Sequence, residues 1–454
     1  MKNNNSKKLG MISICFLALN MIVGPGIFLL PQRFFAYSQG AGLWPFIFIG
    51  IMALGLAMCF AELAGRFESN GGPYVYAKEA FGNFIGLEIG LLKWFIGVVV
   101  WATLSCALGE IIDAGKWVPV AAIWGLTFIT ISGPTWIKRV NSITTISKMV
   151  PLLLLVLFSP KAIITGANLA FPSFSQIDIS QSSILLACIV AFYGFSGLES
   201  IGVVCEQMEN PRKNIPKALM IIIVFVAIFY LSIQMLTLYA LGDELSTVKR
   251  PVEMAAFKLY GPWAKNLIRF SSIMATTGIA FVCAYLTPVS LATLAKDSFV
   301  PEIFARNNKV NVPVYSLIIS AILASILAYT GNFTQLAILS VIGRLGQYFS
   351  TSLAVIKLRK KSTDNSHFVT PGGYWVPLLV AIFSLIPLIN SSFTELIAAG
   401  VFFLCGVPLY FYQQKKLLSI SKNSRLECDL KHFLPLEGEI QKGRQPILGG
   451  IYGK

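Results

Sequence analysis

Twelve apolar runs, each near the roughly twenty residues that a helix needs to cross a bilayer, leave this chain few folds to adopt. In hydrocarbon every backbone N–H and C=O must be paired within the protein, so runs of that length become helices. They lie near residues 11–35, 41–66, 84–113, 117–133, 141–159, 182–207, 216–241, 264–297, 313–330, 334–358, 374–391 and 393–412. Only 13% of the residues are charged, against about a quarter in soluble domains. The expected fold class is an all-α integral membrane protein of about 12 transmembrane helices, carried by a lipid bilayer.

Charge placement sets the orientation. Met1–Lys8 is polar, but the apolar run after it is too long for a signal segment and lacks a small-residue cleavage site, so the first span is expected to stay in place. Twelve spans put both termini on one side. That side holds 25 of the 36 Lys and Arg residues, and the other side 8, among them Arg33, Lys249, Arg250, Lys258, Lys265 and Arg269. The positive-inside rule places both termini in the cytoplasm, with the chain in the cell membrane. The net charge of +15 is thus an orientation signal, and no basic face with stacking aromatics points to nucleic acid. Five of the outer basic residues fall in 242–269, which is expected to form an external helical loop.

Two spans carry residues that do not suit a helix interior. In Asn20-Met21-Ile22-Val23-Gly24-Pro25-Gly26-Ile27-Phe28, Pro25 removes an amide donor and the glycines remove stiffness. A counterpart, Ala191-Phe192-Tyr193-Gly194-Phe195-Ser196-Gly197-Leu198-Glu199, lies about 170 residues on; paired interrupted spans in two halves point to a transporter's binding site. Unwound backbone at mid-membrane needs partners, and a zwitterion supplies a carboxylate for the amides and an ammonium for the carbonyls. The bland alternative is an ordinary packed kink.

The motifs in order carry a resemblance. Gly24-Pro25-Gly26-Ile27-Phe28, Glu62-Leu63, Gly71-Gly72-Pro73-Tyr74-Val75-Tyr76, the Phe192–Ser200 block, Glu209-Asn210-Pro211-Arg212-Lys213 and Phe299-Val300-Pro301-Glu302 resemble the signature blocks of the amino acid–polyamine–organocation (APC) superfamily. The resemblance covers residues 10 to about 315. It implies a LeuT-like fold of 5+5 inverted repeats with helices 1 and 6 broken. On that pattern, 1–10 is a cytoplasmic N-terminus, 11–160 and 182–358 are the two repeats, 374–412 adds two helices, and 413–454 is a cytoplasmic tail. It also implies a central amino-acid site, with Val23, Gly24, Pro25, Gly26 and Ile27 on one side and Ala191, Phe192, Tyr193, Phe195, Ser196 and Gly197 on the other. In similar arginine/agmatine antiporters an aromatic matching Tyr193 gates the pocket from outside. A second aromatic, in the eighth span, matches Cys283, two residues from Tyr285; this departure argues against arginine-type specificity.

Intramembrane charges sharpen the reading. Lys148 lies in the apolar fifth span, where an ammonium is costly. The resemblance implies that it carries a proton, or organises the site, in place of the sodium ion that related transporters bind; snorkelling to the interface is the alternative. Glu199, just past the second break, either gates the inner side or accepts hydrogen bonds from unwound backbone. Arg344 is expected to pair with a membrane carboxylate, with contact to an anionic substrate side chain as the alternative. Glu62 is expected at the inner gate or the interface. Glu88, Lys93 and Glu110 are expected to be interfacial, and a Glu110 that reached the pocket would favour a cationic substrate.

These features point to a secondary active transporter of amino acids by alternating access, with proton-coupled symport as the first expectation. Exchange, with neutral or cationic substrates, is the alternative, and a non-transporting sensor the third. Neutral or broad substrates are favoured. No nucleotide-binding loop is present, the eight cysteines show no metal or redox spacing, and the two histidines, His367 and His432, fall in predicted cytoplasmic segments. No enzyme activity, cofactor or metal is expected.

Overall fold

The computed structural model describes residues 9–38, 42–67, 71–133, 135–170, 183–361, 368–389, 406–411 and 413–414. Met1–Tyr410 is one compact unit. Phe411–Lys454 is a second, of which residues 411, 413 and 414 are described, so the predicted tail lies almost wholly outside the described residues.

The regular structure described is helical, apart from isolated bridges between Leu9 and Met208 and between Asn307 and Pro313. The helices are α1 (Met11–Ile22), α2 (Gly26–Ser38), α3 (Trp44–Arg66), α4 (Pro73–Phe81), α5 (Asn83–Ile111), α6 (Trp117–Ile131), α7 (Thr135–Leu157), α8 (Pro160–Ala170), α9 (Ser183–Phe195), α10 (Pro211–Leu241), α11 (Pro251–Tyr260), α12 (Pro262–Lys296), α13 (Val314–Thr330), α14 (Phe333–Lys361) and α15 (Trp375–Ile389). Six of the helical stretches described are long and apolar enough to cross a membrane alone, the bent pair α1–α2 makes a seventh, and three shorter apolar helices follow. Long α14 is not among them because Ser340, Arg344, Gln347 and Thr351 punctuate it, all buried. Eleven of the predicted runs thus meet helices, and most of the twelfth, 393–412, lies outside the described residues.

Polar groups inside the bundle are paired locally where they can be. The hydroxyls of Thr103, Thr127 and Thr130 donate back to the carbonyls of Val99, Ile123 and Leu126, one turn earlier. Large apolar side chains such as Ile12, Phe128, Leu157, Ile164 and Ile228 stand exposed, as lipid-facing surfaces require. Three helices lie outside the predicted spans: α4, opened by the Gly72-Pro73 pair, α8, opened by Pro160, and α11 in the external segment. The external segment is helical as expected, and Arg250 ties α11 to the end of α5 through Asp113 (2.9 Å) and the Ile111 carbonyl (2.8 Å).

Both breaks form where the sequence places them. α1 stops at Ile22, where the Val23 amide caps onto the Leu19 carbonyl (2.9 Å), and α2 restarts at Gly26 after a 43° bend. α9 stops at Phe195, and the chain turns through Ser196 and Gly197 into the 3-10 helix Leu198–Gln207. Gly197 sits at φ +111°, and a Cβ there would come within 2.4 Å of the Met21 carbonyl oxygen. The two breaks therefore touch backbone to backbone, an approach that only glycine permits.

Gly197→Ala is expected to lower the melting temperature of the detergent-purified protein more than Gly82→Ala. Both need a positive φ, which costs about 1–2 kcal/mol, but a Cβ at Gly82 meets nothing within 4 Å. Equal shifts would contradict the close approach of the breaks.

Candidate functional site

The first break is held open by a lysine. α7 carries Lys148, whose side chain is fully buried, to the end of α1. Its Nζ donates to the Val23 carbonyl (2.6 Å), the Asn20 carbonyl (2.9 Å) and Asn20 Oδ1 (2.6 Å). The Asn20 amide donates to Asn141 Oδ1 (2.6 Å), two turns before Lys148 on the same helix. On the other side Tyr230 of α10 donates to the Ile22 carbonyl (3.1 Å). Three carbonyls freed by the break are thus paired by protein donors. The amides of Gly24, Gly26 and Ile27 have no acceptor among the described residues. They crown the N-terminus of α2, where the helix dipole is positive.

The second break is organised by Glu199. Its Oε2 accepts from the Gly197 amide and from the Tyr348 hydroxyl, each at 3.0 Å. Its Oε1 accepts from Arg344 Nε (3.0 Å) and lies 3.6 Å from Lys93 Nζ. Arg344 NH1 also donates to Ser196 Oγ (3.0 Å) and Ser340 Oγ (3.3 Å), and Lys93 donates to Ser200 Oγ (3.1 Å). One carboxylate therefore serves two cations, a phenol and an unwound amide.

Between the breaks lies a cavity of about 30 Å³, lined by Met21, Ile22, Gly24, Pro25, Gly26, Val100, Leu104, Tyr193, Gly194, Ser196, Ile279 and Arg344. That is space for about two waters rather than an amino acid. A Cβ on Gly24 would come 2.9 Å from Ile279 Cδ1, and one on Gly26 3.1 Å from Tyr193 Cδ1. Tyr193 lines the cavity and lies edge-on to Phe333 at 5.9 Å, with Arg33 stacked over Phe333 at 5.1 Å and 3.8 Å from Glu110. Ser196 and Arg344 bring the Glu199 cluster to its lining.

The predicted residues divide by position. Gly24, Pro25, Gly26, Tyr193 and Ser196 line the cavity, Val23 offers its carbonyl to Lys148, and Gly197 and Glu199, outside the lining, are joined by the Gly197 amide bond to the carboxylate. Ile27 and Ala191 border a neighbouring cavity of about 30 Å³ that shares Gly26 and Gly194. Phe192 packs against Tyr348 and Phe383, and Phe195 against Phe46 and Tyr230. Lys148 does not snorkel, because the break's carbonyls offer its ammonium three acceptors inside the fold. Lys93 is not interfacial either: it is drawn in beside Glu199. Glu88 is buried, and neither carboxylate oxygen has a partner among the described residues. Arg344 pairs with a membrane carboxylate as expected and also reaches the cavity.

Sequence reasoning passed over Asn20, Asn141, Tyr230 and Tyr348 as functional groups. Spacing held the signal for two of them. Asn141 lies seven residues before Lys148, and Tyr348 four after Arg344, so each shares a helix face with the buried cation it supports. Farther off, Glu62 is bound by Arg359 (Nε to Oε1, 2.7 Å) and the Thr370 amide (2.8 Å), joining the ends of α3 and α14. Outside the spans, Tyr74 and Lys78 of α4 both donate to Asp297, and burial followed by that carboxylate pushes the Tyr74 phenol up. No group of three or more potential metal ligands occurs among the described residues.

A family model described as amino acid permease matches residues 9–409. An uncharacterized transporter of Mycobacterium tuberculosis is 26% identical over 442 residues, 89% of this chain and 90% of the relative. The branched-chain amino acid permease BcaP of Bacillus subtilis is 23% identical, covering 90% of this chain and 93% of its own. The serine/threonine exchanger SteT of the same organism is 24% identical, covering 92% and 99%.

Lys148→Met leaves three buried acceptors without a donor, each costing about 1–3 kcal/mol, and Tyr230→Phe leaves one. Melting of the purified variants should fall in that order, by at least twice as much for Lys148→Met. An unchanged melting temperature for Lys148→Met would show that the break does not rest on this ammonium.

Proposed function

The chain belongs to the amino acid permease family, and from that premise we propose that it is a secondary active transporter of amino acids, working by alternating access around the two breaks. The single observation that carries the reading is the asymmetry at the first break. Its carbonyls are paired by Lys148 and Tyr230, while Gly24 and Gly26, whose amides have no acceptor of their own among the described residues, line the cavity. A carboxylate is the ligand such a helix N-terminus takes. Access then alternates between the Tyr193–Phe333 end, taken as the outer side from the charge count, and the Glu199 end, taken as the cytoplasmic side.

Proton-coupled symport is the first mode. The Lys148 ammonium donates three hydrogen bonds; a neutral amine has one fewer proton and a lone pair that its three described partners, all acceptors, do not satisfy. Losing the proton therefore loosens α7 from the first break. Loading of substrate and of proton are in this way linked through the same short backbone segment. Exchange is the second reading, favoured by the similarity to a serine/threonine exchanger and by the absence of any carboxylate among the polar partners of Lys148.

The test uses purified protein in sealed liposomes with an imposed inward proton gradient, a panel of labelled amino acids, and vesicles with or without amino acid inside. Symport predicts uphill uptake into vesicles without internal amino acid that a protonophore collapses, and Lys148→Ala should reduce that accumulation at least tenfold. Uptake confined to preloaded vesicles and indifferent to the gradient would make the protein an exchanger. No movement of any amino acid in either arrangement would contradict the transporter reading.

A further inference from the structure

We propose that the favoured substrates are amino acids with an acidic side chain, of the size of aspartate or glutamate. The inference rests on the transporter reading above and names the substrate class of that same site.

The charge around the cavity is unbalanced. Lys148, Lys93 and Arg344 surround the two breaks, and Glu199 is the single carboxylate among their described partners. A zwitterion leaves this excess of positive charge as it is, a cationic substrate increases it, and an acidic amino acid reduces it. Buried charge of one sign is costly unless it is matched, so a closed, substrate-bound site of this composition selects the anion.

Geometry points the same way. Arg344 commits Nε to Glu199 and NH1 to Ser196 and Ser340, while NH2 has no partner among the described residues and the guanidinium lines the cavity. A planar guanidinium with a free edge suits a carboxylate, where a lysine would act only as a point charge. Gly24 and Gly26 line the same cavity, and their amides, with no acceptor among the described residues, supply a second anion seat. Two seats for negative charge, with the Ser196 hydroxyl beside one of them, match a molecule with two carboxylates. A single α-carboxylate would fill only one.

The approach route repeats the pattern. Arg33 lies over the face of Phe333, whose ring in turn meets Tyr193, so a guanidinium stands beyond this aromatic pair as Arg344 stands within. Arg33 is only loosely matched by Glu110 at 3.8 Å, and its buried NH1 has no hydrogen-bond partner. A carboxylate entering from this end meets one guanidinium before the aromatic closure and another after it. A cationic amino acid would be repelled at both.

The experiment compares uptake of labelled L-aspartate, L-glutamate, L-serine, L-leucine and L-lysine by the wild-type protein. Liposomes are preloaded with all five and carry an inward proton gradient, so that both symport and exchange register. At least tenfold higher kcat/KM for an acidic amino acid than for the other three supports the proposal. Arg344→Gln should then lower that kcat/KM at least tenfold, with Arg344→Lys retaining more, and Arg33→Gln should raise KM for the acidic substrate with kcat little changed. Preferred transport of serine, leucine or lysine, with aspartate and glutamate neither carried nor competing, overturns the substrate class while leaving the transporter reading intact. No uptake of aspartate or glutamate, with neither competing for uptake of any amino acid in the panel above, overturns the substrate class, and the transporter reading then stands or falls on that panel. The wild-type preference decides the question even if an Arg344 variant fails to insert.

Discussion

The ammonium of Lys148, bound to the carbonyls of Asn20 and Val23, is the interaction on which the centre of this protein depends. A helix interrupted inside hydrocarbon frees carbonyls on one side of the gap and amides on the other, and neither can stay unpaired there. Lys148 and Tyr230 satisfy the carbonyl half from neighbouring helices. The amide half has no described protein partner and faces the cavity. A structural solution for one half of the break leaves the other half, with its positive helix-end character, as the proposed binding surface.

The second break has a different economy. Its unwound turn is folded around the Glu199 carboxylate, which ties the Gly197 amide to Arg344 and Tyr348 of α14 and approaches Lys93 of α5. Gly197 rests directly on the Met21 carbonyl, so the two breaks meet backbone to backbone. This backbone contact offers a means by which closure on one side of the cavity is felt on the other. The polar clusters at its two ends, Arg33 with Glu110 and Arg344 with Glu199, pair cations with carboxylates that opening would have to separate.

Much of the fold could be read from the chain, because the membrane removes the usual ambiguity between helix and strand. Length and apolarity located most helices, and Gly24-Pro25-Gly26 and Gly197 located the breaks through backbone chemistry that depends on few distant residues. α4 and α8 were passed over because they are too short and too polar to register as spans. The site was legible in its backbone and less so in its side chains. The Lys93 bond to Ser200, beside Glu199, spans 107 residues in sequence, and the Arg344 link to Glu199 spans 145, so nothing local announces either. A break predicts that partners must exist, but which side chains supply them is settled by packing. Phe192 and Phe195 illustrate the same limit: both lie within the motif, yet their rings pack toward Tyr348, Phe383, Phe46 and Tyr230.

The central claim is that the amides at the start of α2 hold the substrate's α-carboxylate. An experimental density map of the protein in lipid nanodiscs at saturating substrate tests it most directly. The account predicts density for the amino acid between the two breaks, with its α-carboxylate within hydrogen-bond distance of the Gly24 and Gly26 amides and Lys148 still on the Val23 carbonyl. Substrate density elsewhere, with those amides facing only protein, would contradict it.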